Sequence, residues 1–150
     1  MGAGKNYDSA LAEAQHQGIA EADPTLDVEG WDTASKLVIV ANSFLDTPTS
    51  LENVEVEGIK GIKQTDLVKA AAQGKTIKLL ATATKKKDKL TLIVRPEILD
   101  RTEFLGRCDG WEMGIEIRSD IYGYTFHKNR DREPISTAAA MLRDAVNLLR

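Results

Sequence analysis

Two runs of alternating residues, "TIKLLATATK" (76–85) and "KLTLIVRP" (89–96), meet across the basic cluster "KKKDK" (85–89). In each run apolar and polar residues exchange places with a period of two, as they do in a strand with one face on a core. Two such runs joined by a short polar turn predict an antiparallel hairpin. The lysines then read as a solvated turn and not as a stripe for nucleic acid. A formal net charge of −3 supplies no field that would draw in a polyanion.

A second pair of runs, "EMGIEIRS" (112–119) and "YGYTFHK" (122–128), predicts another hairpin turning at 120–122. "VEVEG" (54–58) alternates over a shorter span and reads as a short or edge strand. Helical signals surround these strands. "NYDSALAEAQHQG" (6–18) offers Asn6 as N-cap, Asp8 in the first turn and Gly18 as a stop. A second helix is expected to begin between Asp27 and Gly30 and to run through about Phe44. A third, "DLVKAAAQ" (66–73), has Thr65 as its cap and Gly74 as its end. The last, "ISTAAAMLRDAVNLLR" (135–150), is read as capped by Ser136 or Thr137, with Ala140, Met141, Ala145, Leu148 and Leu149 at helical spacing. This order predicts an α+β fold, with helices packed on one face of a largely antiparallel (mixed) sheet. No repeat or long linker divides the 150 residues, which are read as one domain, 1–150.

With 42% hydrophobic and 29% charged residues the chain fits a soluble globular class. No apolar run approaches the ~18 residues that a membrane span needs, and no signal-peptide core opens the chain. Cys108 is the only cysteine, which rules out an internal disulfide and suits a cytoplasmic setting. Neither His16 nor His127 is placed by sequence to serve as its base, so a structural role is expected. No metal-ligand set is expected either. "GAGKNY" (2–7) imitates a dinucleotide or phosphate loop. It lacks the preceding strand, and neither a third glycine nor a Ser or Thr after Lys5 completes the pattern.

The chemistry concentrates in "EADPTLDVEGWDTASK" (21–36), which runs directly into "LVIVA" (37–41). On a helix Asp32 and Lys36 lie about 40° apart around the axis, on one face. Two readings are open. In one, Asp27 caps, Asp32 and Lys36 form an exposed i,i+4 pair, and the other charges are solvated. Such a pair contributes only ~0.3–0.5 kcal/mol, little reason for so dense a cluster. In the other, Lys36 abuts a stretch that is apolar on every face and is partly desolvated. Its charge is then matched by carboxylates or its pKa falls, and the cluster becomes a pocket for a small zwitterion.

"GIAEADPTLDVEGWDTASKLVIVAN" (18–42) closely resembles the substrate segment of homoserine dehydrogenases. Glu21, Asp23-Pro24, Asp27, Gly30, Asp32 and Lys36 all fall at the family's spacing. The similarity extends through "GKNYDSALAEAQ" (4–15), "VEGI" (56–59), "IKLLA" (77–81) and "STAAAMLRDAVNLL" (136–149). The resemblance implies NAD- or NADP-dependent interconversion of L-homoserine and L-aspartate 4-semialdehyde, a step toward threonine and methionine. It implies Glu21, Asp27, Asp32 and Lys36 as substrate-binding residues, with Lys36 and Asp32 catalytic at the reacting oxygen. A hydride arriving at a carbonyl leaves an alkoxide, which calls for a cation and a proton source there. Gly30 is expected to let the helix start approach a ligand.

Members of the family bind the cofactor mainly through a Rossmann domain, which also supplies a second lysine, and this sequence contains no such strand, Gly-rich turn and helix. The resemblance therefore implies a substrate-binding and dimerisation domain, inactive alone, that works as a homodimer with a separate Rossmann cofactor domain. Leu26 stands where many relatives have a second acid, and "HKNRDREP" (127–134) stands where many have a Gly-rich loop. No cofactor-binding residue is assigned for that reason. The alternative is a non-catalytic small-amino-acid-binding or oligomerisation module derived from the same domain.

Overall fold

The computed structural model describes residues 7–17, 20–45, 47–130 and 135–149. The chain divides into two compact units, Met1–Asp100 and Arg101–Arg150.

The first unit is built on the predicted hairpin. β2 (Lys75–Lys86) pairs antiparallel with β3 (Lys89–Asp100), and the Lys86–Lys89 pair closes a two-residue turn with Lys87 at φ 54°. β1 (Val54–Val56) adds to the other flank of β3 in parallel, with Val54 opposite Leu92 and Val56 opposite Val94, giving the order β1-β3-β2. β3 runs four residues beyond its expected end, through Pro96. The carbonyl of Val94 accepts the Glu57 N–H at 2.7 Å, so alternate residues of β3 turn their backbone groups toward β1. Pro96 shares that direction, but β1 has already ended there. Its missing N–H therefore costs no ladder bond.

α3 (Trp31–Phe44) lies across this sheet. Ala34, Leu37 and Ala41 form its buried stripe and pack with Val54, Leu92 and Val94, to which Val38, Leu79, Ala83 and Leu90 add partly buried surface. The helix is not buried on every side as its sequence suggested, because the sheet covers one face only. Ile39 and Phe44 are exposed. The opposite face of the sheet carries Glu55, Arg95 and Glu97, with an Arg95–Glu97 ion pair at 2.8 Å. Solvent on one side of such a sheet is the usual arrangement. α4 (Gln64–Ala72) packs against β2. It begins before Thr65, with Lys63 as N-cap, and the Asp66 carboxylate accepts the Lys63 N–H at 3.0 Å. Gly74 follows its end in the left-handed region, as expected.

The helix expected to begin between Asp27 and Gly30 and to run through about Phe44 is α3, which starts at Trp31, and a separate short helix precedes it. α2 (Thr25–Glu29) stops at Gly30, whose φ of +87° breaks the chain before α3. A Cβ at Gly30 would lie 3.2 Å from Val56 and 3.3 Å from Val94. Gly30 is thus held by its left-handed backbone and by close approach to the protein's own core. α1 (Tyr7–His16) precedes them. Asn6 and Gly18, read as its cap and stop, lie outside the described residues.

In the second unit β4 (Glu112–Ser119) and β5 (Gly123–Arg130) form the other predicted hairpin as a separate two-stranded sheet, where a single sheet had been expected. The segment before β4 covers one face of it. Phe104 meets the Phe126 ring at 4.9 Å between centroids, and the Cys108 thiol donates to the Phe104 carbonyl at 3.5 Å. Met113 and Ile115 project to the other face and are exposed. α5 is described over Ile135–Leu148, so positions 136 and 137, read as its cap, lie within the helix. Residues 131–134, the end of the stretch set against the family's Gly-rich loop, lie outside the described residues.

Candidate active site

The acidic segment is tied down locally. Gln15 on α1 donates through Nε2 to the carbonyls of Glu21 and Ala22, at 3.0 and 3.2 Å. Asp23 Oδ1 accepts from the backbone N–H and the hydroxyl of Thr25, at 3.1 and 2.6 Å. Those bonds hold the Asp23 carboxyl below the ordinary aspartate range, with the hydroxyl contributing most. Pro24 then starts α2.

α3 presents the pair that its spacing predicted. Lys36 Nζ meets Asp32 Oδ2 at 2.6 Å, one turn apart on the helix entrance. The expected desolvation of Lys36 is absent: its side chain is 70% exposed and that of Asp32 is 40% exposed. Burial fails because Lys36 precedes Leu37 on the helix and points away from the sheet-facing stripe. Of the two outcomes anticipated for the lysine, charge matching holds without burial.

The other two predicted residues behave differently. Asp27 lies in α2, where it does not cap the helix, and Glu21 lies in the turn before it. Among the described residues neither carboxylate has a hydrogen-bond or ion-pair partner, and neither is paired with Lys36. Every other acid in 21–36 is engaged: Asp23 by Thr25, Asp32 by Lys36 and Glu29 by Lys60 at 2.7 Å. Along the chain the segment thus carries two carboxylates without a partner among the described residues and one carboxylate–ammonium pair. A small molecule with its own ammonium and hydroxyl or carbonyl groups suits that combination.

Sequence reasoning missed Gln15, Lys60 and the contact of Gly58 with α2. Glu29 and Lys60 are far apart in the chain, and no local period connects them. The only sign was the unexplained "GIKGIK" (58–63).

The described residues do not make a dinucleotide cradle. The one parallel strand pair, β1 with β3, is flanked by antiparallel β2, and the glycine after β1 is packed against the backbone of α2. Among the described residues no group of acids, histidines or cysteine could hold a metal ion, and no helix is long and apolar enough to cross a membrane.

A family model described as homoserine dehydrogenase matches residues 1–146. Homoserine dehydrogenase of Helicobacter pylori is 33% identical over 145 residues, covering 97% of this chain and 34% of that protein. A Pseudomonas canavaninivorans protein named NAD(+)-dependent homoserine dehydrogenase is 31% identical, covering 99% of this chain and 42% of its own length. The crystal structure of S. aureus homoserine dehydrogenase at pH 6.0 superposes with a TM-score of 0.87 at 31% identity, over 97% of this chain and 37% of that one. The chain spans about a third of the length of the Helicobacter relative. From its sequence and from its fold alike, the chain belongs to the homoserine dehydrogenase family.

Proposed function

We propose that this chain is the substrate-binding and catalytic portion of a homoserine dehydrogenase, interconverting L-homoserine and L-aspartate 4-semialdehyde with NAD or NADP held by a separate Rossmann cofactor domain. The observation that carries this reading is the 2.6 Å Asp32–Lys36 pair in the first turns of α3, preceded in the chain by the carboxylates of Glu21 and Asp27, which have no partner among the described residues. Glu21 and Asp27 take the substrate ammonium and hydroxyl. Lys36 meets the oxygen that alternates between alcohol and carbonyl, where its ammonium stabilises negative charge and supplies or accepts the proton. Asp32 orients Lys36. The bare apolar face at Met113 and Ile115, together with the unpaired flank of β2, supports assembly as a homodimer.

Mixing the chain with a separately produced cofactor domain of a relative, and following homoserine-dependent NAD(P)H absorbance, tests this. Lys36→Ala is expected to lower turnover on the order of a hundredfold or more while homoserine still binds. Full turnover in Lys36→Ala would sink the assignment. Homoserine binding without turnover in any mixture, given a folded cofactor domain, would favour the amino-acid-binding module instead.

A further inference from the structure

We infer that Gly58, with Lys60 beside it, is a positioning element for the substrate site, setting where α2 holds Asp27 relative to the Asp32–Lys36 pair. The inference rests on the functional reading of Asp27 given above. α2 is only five residues long and joins α3 through the single left-handed residue Gly30, so its own length does little to fix its direction. What fixes it is the chain that leaves β1. A Cβ on Gly58 would lie 2.4 Å from the Val28 carbonyl oxygen and 2.6 Å from the Glu29 Cα, contacts that only glycine avoids. The next residue, Ile59, donates its N–H to that same Val28 carbonyl at 2.8 Å. One residue further, Lys60 Nζ reaches Glu29 Oε1 at 2.7 Å. The Glu29 carboxylate holds the Lys60 ammonium above the ordinary lysine value, chiefly through this hydrogen bond.

Three successive residues, 58 to 60, therefore grip the last two residues of α2 by close approach, backbone hydrogen bond and ion pair. Asp27 immediately precedes the gripped residues. Its carboxylate has no partner among the described residues to hold it, so its placement depends on the helix that carries it. Displacing α2 by about an ångström would move that carboxylate without touching Asp32 or Lys36, and errors of this size are costly to an oriented site.

Titration of L-homoserine into the purified chain by calorimetry, with melting measured in parallel, tests the inference. Gly58→Ala is expected to weaken binding about tenfold, the loss typical of one charge-assisted contact. Asp27→Asn should weaken it comparably, and the double variant should bind no worse than Asp27→Asn alone. Should Gly58→Ala not fold, Lys60→Met is expected to weaken binding about two- to threefold with Lys60→Arg restoring it, as for an exposed pair. In the wild type, homoserine should slow hydrogen exchange at the Ile59 amide, because ligand and clamp favour the same position of α2. Unchanged affinity in a folded Gly58→Ala variant overturns the inference. So does a loss that adds in full to Asp27→Asn, since Gly58 would then act on the fold and not through Asp27. For Lys60→Met, unchanged affinity or failure of Lys60→Arg to restore it overturns the inference, as does an unaltered Ile59 amide in the homoserine-saturated chain. A wild-type chain that takes up no homoserine would instead overturn the functional reading and this inference with it.

Discussion

The two hairpins of this protein are built from the same pattern and end in different states. β2 and β3 run for twelve residues each, are flanked by a third strand and are covered by α3, so that Leu92 is 3% exposed and Val94 is fully buried. β4 and β5 run for eight residues each and, among the described residues, have no third strand. One face receives Phe104, Leu105 and Cys108, while Met113 at 59% and Ile115 at 49% exposure remain in water on the other. Alternation alone makes a hairpin. It takes a second layer to make a core, since isolated two-stranded sheets are marginal in water.

The contrast can be broken from either side. Leu92→Ala removes a side chain from the shared core of α3, β1 and β3 and is expected to cost about 2–5 kcal/mol. Phe126→Ala, at a half-exposed site whose ring meets Phe104 on one side and Tyr124 on the other, should cost about 1 kcal/mol. The two tryptophans fall one to each unit, Trp31 on α3 and Trp111 just before β4. Urea melts of Trp31→Phe and Trp111→Phe backgrounds would therefore read the two units separately. Equal losses from both substitutions would erase the distinction between the two hairpins.

Gly114→Ala probes the covered face of the second hairpin. Its Cβ would sit 2.7 Å from the Cys108 sulfur and 3.0 Å from Leu105, so overpacking of about 1–3 kcal/mol is expected. The loss should register at Trp111 and leave Trp31 unmoved.

Much of this architecture could be read from the residues. Period-two runs placed both hairpins to within a few residues, and the lysine turn fell where expected, because those signals are local. The break at Gly30 was not legible. A glycine near a helix start fits a continuous helix as well as a joint, and the deciding contacts with Val56 and Val94 come from distant strands. The sidedness of α3 was hidden for a related reason: "LVIVA" has no polar residue to mark which side meets the sheet. The pairing of Asp32 with Lys36 was legible in their helical spacing. The solvent around Lys36 was not, since burial depends on what lies opposite.

A smaller effect would sharpen the comparison further. The Lys128 ammonium, at 3.0 Å, and the Asp109 N–H hold the Glu112 carboxyl below its ordinary value, with the Lys128 hydrogen bond contributing most. A depressed carboxylate pKa adds stability above the ordinary glutamate value of about 4.3, and that stability is lost as pH falls through the depressed value. Acid should thus loosen the second hairpin, and Lys128→Met should flatten that dependence in a Trp111 titration. An unchanged acid profile in Lys128→Met would assign the dependence to other groups.

The parallel pairing of β1 with β3 also orders events in time. The β2–β3 hairpin closes across a two-residue turn, whereas Val54 must find Leu92 across α4 and all of β2. Non-local pairings of this kind are made late and slowly. On a ribosome α3 emerges before the strands it packs on, and Ala34, Leu37 and Ala41 have no surface to settle on until Leu92 and Val94 have been synthesised. The helix that carries Asp32 and Lys36 waits for the strand that will anchor it, and a nascent chain halted before residue 92 would hold those side chains without the fold that orients them.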